Sequence, residues 1–298
     1  MVPPMHAELV VDCDCRNGNG PLWHADEQQL YWLDVPSGRI FRFDPLTGDY
    51  GQFHQGGVTG GLTVQADGAL LLFQQRCTVT LLRGQLETRL IEEISSERET
   101  RFNAAIADPT GRVFAGTMGR DGIPSRLYRF ETDGAVSRVL DGLGLVGGMG
   151  FTPDRTHLYV TDTQARKIYR FEYDQVSGEL HHRQDFAEVP DAKGEGSPDG
   201  LTVDAEGGVW SAQWGGGCVV RYSAAGAEEE RVAVPTPCVT SVAFGGPDFD
   251  DLYVTTAGGD DCSRNGPLAG ALFSFRPGIN GLPEFRSQVW VDAGLEWR

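Results

Sequence analysis

One short phrase recurs six times along this chain, and the residue in front of it changes each time. Asn19 precedes Gly20-Pro21-Leu22-Trp23, Gly60 precedes Gly61-Leu62-Thr63-Val64, and Asn103 precedes Ala104-Ala105-Ile106-Ala107. Further on, Gly147 precedes Gly148-Met149-Gly150-Phe151, Asp199 precedes Gly200-Leu201-Thr202-Val203, and Thr240 precedes Ser241-Val242-Ala243-Phe244. Each phrase runs into a polar turn such as Asp108-Pro109-Thr110-Gly111 or Asp204-Ala205-Glu206-Gly207, and an apolar run such as Leu30-Tyr31-Trp32-Leu33 follows. The slots lie about 41 to 52 residues apart, the length of a four-stranded propeller blade. The pattern predicts an all-β chain, a six-bladed β-propeller forming a single domain over 1–298, with the six slots around one axis.

Bulk properties narrow the partners. The chain has 298 residues, is 40% hydrophobic and carries 40 glycines. A closed β architecture of this length commonly forms one domain. No apolar run is long enough to span a bilayer, and residues 1–11 lack the basic start and apolar core of a signal peptide, so a cytoplasmic location is expected. A formal charge of −17 argues against nucleic acid and against an anionic membrane, leaving a small molecule as the expected partner. Cys13, Cys15, Cys77, Cys218, Cys238 and Cys262 are scattered, mostly in strand-like runs, and read as small reduced core residues. Cys13 and Cys15 have no second pair or nearby His to complete a zinc spacing.

The third strand of a blade often carries an aromatic-basic pattern, as in Ile40-Phe41-Arg42-Phe43, Leu127-Tyr128-Arg129-Phe130 and Val219-Val220-Arg221-Tyr222. Alternation puts each Arg on the face opposite its aromatic neighbours, which suits structural charge on the blade surface. Leu9-Val10-Val11 and Val289-Trp290-Val291 are expected to pair and close the ring.

Taken in order, Gly20-Pro21-Leu22-Trp23, Arg101-Phe102-Asn103, Asp108-Pro109-Thr110-Gly111-Arg112, Gly116-Thr117-Met118, Phe151-Thr152-Pro153-Asp154, Ser197-Pro198-Asp199-Gly200 and Phe244-Gly245-Gly246 resemble the SMP-30/gluconolactonase/luciferin-regenerating family, the regucalcin group, over nearly the whole chain. The resemblance implies a six-bladed propeller that hydrolyses a sugar lactone or related small cyclic ester at the channel mouth. It also implies one divalent cation, Ca²⁺, Zn²⁺ or Mn²⁺. Arg101 and Asn103 match the family's substrate-holding pair, and Asp199 matches its metal-binding Asp. Asn19 stands where the family has Glu, Gly147 where it has Asn, and Ala104 where Asp follows the substrate Asn.

Those three departures remove most of the metal side. A hard cation seeks six or more oxygens and gains most from carboxylates. Here Asp199 supplies one charge, Asn19 is a neutral ligand at best, and Gly147 has no side chain, so metal binding is expected to be weak or absent. Asp162, Glu195 and Asp121 are the nearby acids that would have to substitute. Without metal, Asp199 can act as general base on water, Arg101 as oxyanion donor and Asn103 as substrate anchor. A metal-independent isomerase or cyclase, and a non-catalytic small-molecule-binding propeller, are the alternatives. Gly60, Gly147 and Ala104 are expected to widen the mouth for a larger substrate.

Overall fold

A computed structural model describes residues 5–120, 122–260 and 265–290. Among them the chain forms six four-stranded sheets arranged as a β-propeller. The first blade runs Gly18–His24, Gln29–Asp34, Arg39–Phe43 and Tyr50–Gln55, in sequence order from the axis outward. The inner strands of the next five are Thr59–Val64, Arg101–Ala107, Val146–Phe151, Ser197–Val203 and Val239–Gly245, and each packs beside the next around the axis. These strands are buried along their whole length or nearly so, because both faces of a blade meet a neighbour. Aromatic residues fill the wedges between blades. Phe73, Phe102 and Phe130, for instance, meet edge-on with centroids 5.4 to 5.9 Å apart.

The ring closes by exchange of one strand. Glu8–Val11 pairs antiparallel with Leu272–Phe275 and becomes the outer strand of the sixth blade, with Leu9 opposite Phe273. The N-terminal half of the expected closure therefore holds, but its partner differs. Val289 and Trp290 lie in a strap that crosses the end of the propeller opposite the mouth, and Val291 lies outside the described residues. Along this strap Gly281 N–H reaches Phe249 O, Ser287 N–H reaches Val64 O, and Trp290 N–H reaches Thr132 O, so it ties the sixth, second and third blades together.

The blade turns are built on buried carboxylates. Asp204 is fully buried; its Oδ1 accepts from the Glu206 and Gly208 amides, and its Oδ2 from Trp210 Nε1 at 3.0 Å and Arg221 Nε at 2.8 Å. Asp108 repeats the device with the Thr110 and Arg112 amides, Arg112 and the Tyr173 hydroxyl. The third-strand Arg221 is thus structural, as its alternation suggests. Asp204→Ala leaves an indole N–H and part of a guanidinium buried without partners. Its expected cost is about 3–5 kcal/mol of unfolding free energy, checked as a lower urea midpoint at unchanged m.

Candidate functional site

Every slot residue sits at or beside a β-bulge. Pairing to the second strand shifts between Asn19 and Leu22, Thr59 and Gly61, Phe102 and Ala104, Val146 and Met149, Pro198 and Leu201, and Val239 and Ser241. A bulge carries an extra residue out of the ladder and re-aims its side chain. The bulges fall at corresponding places in the six inner strands, near the ends from which these strands start. Asn19, Gly60, Asn103 and Gly147 line the axial channel, a cavity of about 70 Å³ with room for a few waters. In the sixth blade the lining residue is Ser241, since Thr240 is turned away and donates to Gly18 O.

The glycine slots are seats for the next blade's side chains. A Cβ on Gly60 would lie 2.7 Å from Arg101 Nη1 and 2.0 Å from Phe102 O. A Cβ on Gly147 would lie 2.7 Å from Asp199 Oδ1 and 2.4 Å from Thr163 Oγ1. Gly60 and Gly147 therefore do not widen the mouth as expected; polar groups of the next blade, joined at Gly147 by Thr163 of its own blade, already fill that space.

Asp199 is 6% exposed, and among the described residues its carboxyl has one hydrogen bond, a long one from Thr163 Oγ1 at 3.5 Å. Burial pushes its carboxyl up from 3.8 to about 7, against the smaller opposing pulls of Thr163 and the Arg101 charge. Arg101 is lowered by burial and raised in turn by Asp199, so the two charges sense each other. Its Nη1 donates to Phe102 O at 2.8 Å, which holds the guanidinium over Gly60. Arg101 also lines a larger mouth pocket of about 430 Å³, with Thr100, Met118 and Arg120. Asn103 donates Nδ2 to Val146 O at 2.9 Å; because that carbonyl only accepts, the amide is oriented with its oxygen on the other side. Arg101, Asn103 and Asp199 are thus placed around the two glycine seats.

Two contributors escape a reading of the phrase alone. Thr163 lies just beyond a second strand, and its hydroxyl is the group that touches Asp199. Glu284 comes from the strap and lines the channel from the opposite end; burial raises its carboxyl from 4.5 to about 7. The strap carries no copy of the repeat, so the phrase gives no sign of Glu284.

The comparisons with known proteins agree with this geometry. Residues 17–258 match the family model described as SMP-30/Gluconolactonase/LRE-like region. The chain belongs to this family. A pentonolactonase, XacC of Haloferax volcanii, is 50% identical over 96% of this chain and 99% of its own length. A 6-deoxy-6-sulfogluconolactonase of Pseudomonas putida is 33% identical over 90% of this chain and 93% of its own. Among solved structures, a calcium-binding regucalcin from Agrobacterium tumefaciens superposes with a TM-score of 0.87 at 24% identity, covering 96% of this chain and 98% of that one, a likeness of fold.

The SMP-30/gluconolactonase family implies a divalent cation, and the residues here do not fit one. Asn19 Oδ1 already accepts from the Gly20 amide at 2.7 Å, Gly147 offers no donor, and Thr163 and Asp199 fill the space a longer side chain there would need. The substitute acids are committed elsewhere. Asp162 accepts from the Gly144, Leu145 and Ala165 amides, and Glu195 pairs with Arg231 at 2.9 Å. Asp121 lies outside the described residues. One carboxylate and neutral oxygens make a poor site for a hard cation.

Proposed function

We propose that this chain hydrolyses a sugar lactone, of the pentonolactone class, by acid–base catalysis without a divalent cation. The 50% identity to a pentonolactonase over nearly both whole chains supports the reaction class over an isomerase, a cyclase or a pure binder. The observation that carries the mechanism is Asp199, a buried carboxyl with a single weak partner and the Arg101 charge nearby. Such a carboxyl titrates near neutrality and is suited to move protons at that pH.

Asn103 holds the lactone through its amide oxygen, which accepts from a ring hydroxyl. Asp199 takes a proton from water as the water oxygen bonds to the carbonyl carbon. The carbonyl oxygen becomes an oxyanion, and the Arg101 guanidinium stabilises it with fixed N–H donors. The intermediate collapses by breaking the bond to the ring oxygen, which receives the proton that Asp199 holds. The product is the open-chain sugar acid, and Asp199 returns as a carboxylate.

Chelator-stripped protein is expected to hydrolyse a pentonolactone within about twofold of the untreated rate. Calorimetric titration with Ca²⁺, Zn²⁺ or Mn²⁺ is expected to give no saturable heat, as one carboxylate cannot supply a hard cation's shell. Activity that disappears with chelator and returns with one of these ions would replace the metal-free mechanism.

A further inference from the structure

Outside the channel, the segment that joins the closing strand Glu8–Val11 to the first blade carries an unusual pair. Cys15 Sγ lies 3.5 Å from Cys13 Sγ, close enough for the thiols to touch. Asp14 between them has a φ of +48°, a left-handed conformation uncommon for a non-glycine residue. Backbone bonds hold the crossing in place: Cys15 N–H reaches Gly270 O at 3.1 Å, and Gly258 N–H reaches Cys15 O at 3.0 Å.

The surroundings act on the sulfurs in both directions: Cys13 Sγ donates to Gly270 O at 3.2 Å, and burial with the Asp12 and Asp34 charges opposes ionisation, while other neighbours favour it. Trp32 is fully buried in the same cluster, and its indole N–H is turned toward the two sulfurs. Its dipole pulls both thiols toward the thiolate form. Arg39 reaches the Asp14 carbonyl at 3.3 Å, and its charge is felt by both sulfurs. The pair shares its proton unequally: the bond from Cys15 lowers Cys13, while Cys15 itself is raised. Cys13 is 8% exposed and Cys15 fully buried, so the more acidic sulfur is also the nearer to solvent. A thiol lowered from its ordinary value with a second sulfur in contact is the pairing from which an internal disulfide forms.

We propose that Cys13 and Cys15 form a two-electron oxidation site that a hydroperoxide converts into an internal disulfide. The Cys13 thiolate attacks a peroxide oxygen, the O–O bond breaks, and a sulfenic acid and hydroxide result. The Cys15 sulfur then attacks the sulfenic sulfur, an S–S bond forms, and water leaves. Two thiols and one hydrogen peroxide thus give one disulfide and two waters, with sulfur oxidised and peroxide reduced.

The test uses the intact protein. It is treated with hydrogen peroxide, unfolded, alkylated with N-ethylmaleimide, digested with trypsin and weighed. The peptide ending at Arg16 is expected to be two hydrogens lighter at Cys13 and Cys15 and free of alkyl groups, read by fragmentation because Met1 and Met5 in the same peptide also take up oxygen, and dithiothreitol restores both alkylations. Cys238 is more exposed than either and has no sulfur beside it among the described residues, so it is expected to stay alkylated. In Cys15→Ser, dimedone is expected to trap a sulfenic acid at Cys13. A wild-type peptide that keeps both alkyl groups while Cys238 is oxidised, or one that gains oxygen at Cys13 or Cys15 without losing hydrogen, overturns the proposal.

Discussion

Asp199→Asn is expected to lower kcat for a pentonolactone by about 10²–10⁴-fold with little change in fold, because it removes the proposed base and keeps the shape. The amide cannot take a proton from water at any working pH. The wild-type pH profile carries the same information. With Asp199 held up near 7 by burial, the competent carboxylate forms only as pH rises through that value. The enzymatic rate is therefore expected to climb about tenfold per pH unit below about 7 and to level off above it. Spontaneous lactone opening at alkaline pH is subtracted with a no-enzyme control. A variant that keeps wild-type turnover takes Asp199 out of the reaction, whatever its surroundings.

The propeller was legible because its blades repeat. Six phrases at nearly constant spacing, each followed by a Gly- or Asp-bearing turn, leave little freedom in the architecture. The slots were legible for the same reason: Asn19, Asn103, Asp199 and Thr240 are the polar residues among them, and Arg101 stands two residues before one of them. The bulges that aim them were not, since a bulge is a property of pairing between two strands. Nor was the role of Gly60 and Gly147. A glycine reads as empty space in one dimension, but here each makes room for a side chain about 41 or 52 residues further on. Glu284 was hidden because the strap has neither period nor motif, and its place in the channel follows from contacts with Val64, Phe249 and Thr132. Chain closure was half legible. Leu9-Val10-Val11 has the pattern of a strand, but Val289-Trp290-Val291 has it equally, and only the register shows that Leu272–Phe275 is the true partner.

The same substitution that removes activity is expected to stabilise the fold. Asp199 carries 3.8 as its ordinary value and about 7 in the folded protein, so between these values the native state binds more protons than the unfolded chain. Unfolding free energy contributed by this group is therefore largest below 3.8, falls as pH rises through the window, and is flat above about 7. Asparagine does not titrate. Asp199→Asn is thus expected to gain up to about 4 kcal/mol at about pH 8, and less than half of that at about pH 5. Urea unfolding of both proteins at the two pH values measures the difference, and Glu284, shared by both, cancels. The physical reason is that a carboxylate without good donors is held away from water, where it is costly until it meets substrate. An equal gain at both pH values would mean that channel water solvates Asp199 well. The rise in the wild-type rate would then have to fall near 4, so the two measurements stand or fall together.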